Sequence, residues 1–110
     1  MLVQEIDLPG GPVRIRPAGD AAVLVELGDG IEPAVHRRVM ALWRSLAERP
    51  LPGMVEAVPA YRSVLVTWDP WATDGARIRA ALQRRLREAI DGQAPRWRGR
   101  RMTIPVVYGG

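Results

Sequence analysis

Residues 54–68 read MVEAVPAYRSVLVTW, and their division into strands decides the fold. Ser63–Trp68 (SVLVTW) is the strongest strand signal in the chain, being β-branched and apolar and closed by Asp69-Pro70. Met54–Pro59 (MVEAVP) reads as its partner, and Pro59 makes it an edge strand or ends its ladder. The short Ala60-Tyr61-Arg62 connection makes a hairpin of the pair.

Each side of this hairpin carries a helical pattern. Upstream, Pro33 suits a first helical position, and Val35, Val39, Leu42, Trp43 and Leu46 form one apolar stripe. His36, Arg37, Arg38, Arg44 and Arg49 fall largely off that stripe, and Pro50-Leu51-Pro52-Gly53 ends the helix. Downstream, Thr73 is the expected N-cap, with Asp74 near the positive end of the helix dipole. Ile78, Leu82, Leu86 and Ile90 supply the second stripe, and Arg77, Arg79, Arg84, Arg85 and Arg87 decorate the rest as a wet face. Gly92 is expected at C′.

Further out, Ala21–Gly28 (AAVLVELG) is apolar on both faces and suits a central strand. Val13–Arg16 alternates as a short half-exposed strand, and Arg101–Tyr108 (RMTIPVVY) reads as a last one. Residues 1–12 end in the breakers Pro9-Gly10-Gly11-Pro12 and read as a flexible N-terminal arm, leaving 13–110 as a single domain. The predicted class is α+β: a ferredoxin-like βαββαβ with an extra short N-terminal strand, and two helices on one face of a mainly antiparallel sheet. Side-chain alternation separates Val23, Val25, Leu27, Val64, Val66 and Trp68 from Leu24 and Leu65. One set therefore covers the far face, and an apolar far face calls for another domain or subunit.

Composition narrows the chemistry. The 110 residues hold no Cys, one His and two Ser, which removes thiolate sites and argues against a catalytic triad or a histidine-rich metal site. All 16 cations are Arg, giving a formal charge of +4. The run Arg96-Trp97-Arg98-Gly99-Arg100-Arg101 has Arg–aromatic interleaving, but a short basic run is a weak motif and reads as a solvated link. With no Phe in the chain, the central strands offer only Trp68 as a base-stacking platform, so no nucleic-acid partner is expected. Gly10-Gly11 and Gly28-Asp29-Gly30 lack the Gly-Lys-Ser/Thr of a phosphate loop and read as turns. His36 has no partner in sequence spacing. The expected catalytic, cofactor and metal residues are none. Trp68, Trp71, Trp97, Tyr61 and Tyr108 are the candidate interface residues, Trp71 and Trp97 foremost because they fall in presumed loops. Met1–Leu8 has no basic n-region, and no apolar run approaches the roughly 20 residues of a membrane helix, so a cytoplasmic protein is expected.

Several local patterns recur in a telling order: Gly19-Asp20-Ala21-Ala22-Val23-Leu24-Val25-Glu26-Leu27-Gly28, the helix from Pro33, Gly53–Ser63, Val64–Pro70, and Ile104-Pro105-Val106-Val107-Tyr108-Gly109-Gly110. Over residues 13–110 the series resembles the N-terminal domain of the family that holds the 5-oxoprolinase subunit PxpB, the kinase inhibitor KipI and allophanate hydrolase subunit 1. The resemblance implies a non-catalytic N-terminal assembly domain, with the C-terminal cyclophilin-like domain absent and no activity of its own. It implies as partners that C-terminal domain and a second homologous subunit resembling PxpC or allophanate hydrolase subunit 2. The parent complex would cleave 5-oxoproline to glutamate with ATP, while no cofactor is expected in this chain. The alternative it implies is a KipI-type inhibitor of a sensor histidine kinase. An uncovered strand edge or sheet face also leaves homodimerisation open.

Overall fold

A computed structural model describes residues 3–30 and 32–91. Its elements are β1 (Gln4–Leu8), β2 (Gly11–Pro17), β3 (Ala22–Glu26), α1 (Pro33–Glu48), β4 (Met54–Pro59), β5 (Ser63–Trp68) and α2 (Gly75–Leu86), which runs on into a π-helical turn over Arg87–Asp91. The strands form one sheet, β1-β2-β3-β5-β4, antiparallel at every step. The α+β class, the two helices and the β4–β5 hairpin are as the sequence predicts. The expected last strand, Arg101–Tyr108, lies outside the described residues.

The N-terminal arm is corrected: residues 4–8 are a paired strand. Ile6 and Leu8 alternate with Glu5 and Asp7 and are buried, so the segment carries a strand's period as well as terminal breakers. The breakers make the β1–β2 turn. Gly10 and Gly11 sit at φ 93° and 126°, where a side chain would be strained. In a ferredoxin-like sheet the fourth strand lies beside the first, and here β2 fills that place beside β3.

One face of the sheet makes the core. Val13, Ile15, Val23, Val25, Val64, Val66 and Trp68 are buried together with Val39, Leu42 and Leu46 of α1 and Ile78, Leu82 and Leu86 of α2. The opposite face carries Leu24 opposite Leu65 and Leu65 opposite Val58, a narrow apolar row. Arg16 lies beside Leu24 and pairs with Glu26 at 2.7 Å. The far face is therefore mixed, less apolar than the strand composition suggests.

Helix ends differ from the sequence reading in one respect. Asp74, not Thr73, caps α2, its Oδ1 accepting from the Arg77 amide at 2.9 Å. Where β3 hands over to α1, Gly28 allows close packing: a Cβ there would lie 2.5 Å from Cγ2 of Val35. Val35 is β-branched and cannot swing aside freely. Gly28→Ala is therefore expected to lower stability by about 1–3 kcal/mol, measured by urea unfolding.

Two arginines are structural. Arg38 on α1 donates to Leu27 O at 2.7 Å and to Gly11 O at 2.8 Å, tying the helix to the end of β3 and to the β1–β2 turn. Burial pushes its pKa down. Arg85, expected on the wet face of α2, is instead buried, at 9% exposure. It donates to Ser45 O at 3.0 Å and Arg49 O at 2.7 Å, carbonyls that α1 leaves open at its C-terminal end.

Candidate protein interface

The exposed large apolar side chains gather on β4 and at both of its ends. β4 is an edge strand, as Pro59 foretells. Its ladder with β5 slips between Met54 and Glu56, and Val55, at the slip, is 66% exposed. Val58 is exposed farther along the strand. At one end, Tyr61 in the β4–β5 turn is 49% exposed, and its ring stacks on His36 of α1 with centroids 5.1 Å apart. His36 Nδ1 also lies 3.4 Å from Tyr61 O. This pair, 25 residues apart, has no signature in sequence spacing.

At the other end stands Trp71, 95% exposed. Its loop is not slack. The Asp69 carboxylate accepts from the Trp71 amide at 2.9 Å, and Asp69 O accepts from the amides of Ala72 and Thr73. The Asp69 amide in turn donates to Gly53 O at 2.9 Å, which fastens the loop to the start of β4. A bulky aromatic held on a rigid turn loses little entropy when a partner covers it. Six residues of strand separate the two ends, about 20 Å.

α1 supports the strand from within, the Trp43 indole N–H donating to Ala57 O at 3.1 Å. Of the sequence candidates, Trp71 and Tyr61 are on this surface. Trp68 is a core side chain at 5% exposure and is not available to a partner in the folded domain. Trp97 and Tyr108 lie outside the described residues. Among the described residues no group of three or more His, Asp or Glu is placed to hold a metal ion. No helix among them is long and apolar enough to cross a membrane.

Fold and surface together define a small α+β domain with an open apolar edge. The chain belongs to the family described as "Carboxyltransferase domain, subdomain C and D", which matches residues 13–110. It is 30% identical over 108 residues to the 5-oxoprolinase subunit PxpB of Bacillus subtilis (strain 168), covering 88% of this chain and 44% of that protein. It is similar to the crystal structure of a conserved uncharacterized protein of Pyrococcus horikoshii, with a TM-score of 0.65 and 35% identity over 87% of this chain and 43% of that one. It shares its fold with the N-terminal domain of the histidine kinase inhibitor KipI of B. subtilis, with a TM-score of 0.59 and 23% identity over 84% of this chain and 94% of that one. The chain thus spans less than half the length of the first two relatives.

Proposed function

We propose that this chain is the N-terminal assembly domain of a subunit resembling the PxpB component of 5-oxoprolinase, working in the cytoplasm of a bacterium. Its role is to hold a companion domain and subunit in a complex that cleaves 5-oxoproline to glutamate with ATP. The domain itself contributes no catalytic group. The observation that carries this reading is Trp71, almost fully exposed on a loop pinned to the β4 edge. Exposed aromatics on rigid supports are characteristic hot spots of protein interfaces.

The test is to express the longer protein with its companion subunit, with Trp71 intact or replaced. Trp71→Ser is expected to weaken the complex about tenfold, read by titration calorimetry, and to lower 5-oxoproline cleavage at limiting subunit concentration. Full assembly and activity after removal of the whole domain would overturn the reading.

A second reading is supported by the fold likeness that covers nearly all of the KipI N-terminal domain. It makes the partner a sensor histidine kinase. Autophosphorylation of the cognate kinase, measured with saturating amounts of the longer protein, separates the two: inhibition favours the kinase partner, and an unchanged rate removes it.

A further inference from the structure

We infer that residues 101–108 dock on the free edge of β1 and extend the sheet by a sixth strand. The slot beside β3 that a ferredoxin-like fold gives its last strand is filled by β2. A strand formed by Arg101–Tyr108 must therefore join an outer edge, either β1 or β4.

Three observations choose β1. The described chain ends in the π turn Arg87–Asp91, which packs against β1, and Ile90 is buried in the same core as Ile6 and Leu8. The intervening Gln93–Arg100 spans at most about 26–29 Å when extended, enough to turn back onto that edge. Charge and polarity also match. On β1, Ile6 and Leu8 face the core while Glu5 and Asp7 lie on the opposite, exposed face. In the segment, Met102, Ile104, Val106 and Tyr108 alternate with Arg101 and Thr103. Laid beside β1, the first set prolongs the core row and Arg101 meets the carboxylates. Acids on an edge repel a second copy of the same edge, yet they attract a strand that carries Arg. Finally, Gln4 Oε1 is buried without a donor among the described residues. A buried acceptor calls for a donor, and the segment leading into the strand is rich in them: Arg96, Trp97, Arg98 and Arg100. Pro105 fits an outermost strand, where its missing N–H faces outward.

The chain has no cysteine, so paired cysteines report the contact directly. Glu5→Cys or Asp7→Cys is combined with Arg101→Cys or Thr103→Cys in the 110-residue chain. Adjacent strands bring Cα atoms within the roughly 4.4–6.8 Å that a disulfide needs. Mild oxidation is expected to close an intramolecular disulfide in most molecules for at least one pairing, seen as a mobility shift lost on reduction. Glu56→Cys, on the β4 edge, serves as the competitor for the same partners. Preferential closure with Glu56→Cys, or no intramolecular closure from either β1 position, overturns the inference. Slow exchange of the β3 amides in every variant verifies that the fold is intact.

Discussion

Trp68→Ala is expected to lower the unfolding free energy by about 3–5 kcal/mol, whereas Trp71→Ser, three residues on, changes it by no more than about 0.5 kcal/mol. The two indoles lie on either side of one turn and differ in what surrounds them. Trp68 ends β5 on the core face, opposite Met54, and its amide donates to Ala21 O at 3.0 Å. Its ring closes the end of the core, which Met54 and Ala57 border. Truncation removes its buried area and leaves a void that the paired strands cannot collapse into. Trp71 has no such surroundings, so its loss touches only what docks from outside. Urea unfolding with fluorescence and circular dichroism measures both, and equal effects on stability would show that the Trp71 loop is packed in solution. The pair also separates folding from assembly. A loss of complex in Trp71→Ser at unchanged stability is an interface effect, while the same loss in Trp68→Ala is not.

Much of the architecture is legible in the sequence, because strand and helix periods are local. The hairpin at residues 54–68, the stripes at Val39–Leu46 and Ile78–Leu86, and the edge position signalled by Pro59 all follow from spacing. β1 carries the same signal in Ile6 and Leu8, but only a few alternations precede the Pro-Gly-Gly-Pro breakers, and the breakers dominate that reading. The interface is half legible. Trp71 stands out by residue type and by its loop, whereas Val55 is exposed through a ladder slip that no pattern announces. The stack of Tyr61 on His36 depends on how α1 crosses beneath β4, a matter of packing. Trp68 shows the reverse limit: its type suits an interface and a core equally, and only its parity on β5 decides. The same ambiguity holds for the arginines, where sequence shows charge and spacing but not which guanidinium turns inward.

Arg85→Ala is expected to cost about 3 kcal/mol, and Arg84→Ala, its neighbour in sequence, less than about 0.5 kcal/mol. The Arg85 guanidinium donates to two backbone carbonyls at the C-terminal end of α1, Ser45 O and Arg49 O, and reaches Ser45 Oγ at 3.3 Å. Those carbonyls carry the negative end of the helix dipole, so a buried cation there adds charge attraction to hydrogen bonding. Burial first, and then the like charge of Arg49, lower the Arg85 pKa, while Glu88 opposes them. The guanidinium starts so high that it remains charged wherever the protein folds, so the loss in Arg85→Ala is expected to be flat across neutral pH. Removing the side chain leaves the carbonyls in a site that water reaches poorly, which is the costly side of a broken hydrogen bond. Arg85→Lys keeps the charge with a single-point donor and is expected to recover about half of the loss. Ser45→Ala removes only the hydroxyl, and a change of about 0.5 kcal/mol or less would show that the backbone carbonyls are what Arg85 serves. Linear urea extrapolation with an unchanged slope reads all four variants. Equal stability of Arg84→Ala and Arg85→Ala would mean that water caps α1 in place of α2, and the two helices would then be held together by their apolar stripes alone.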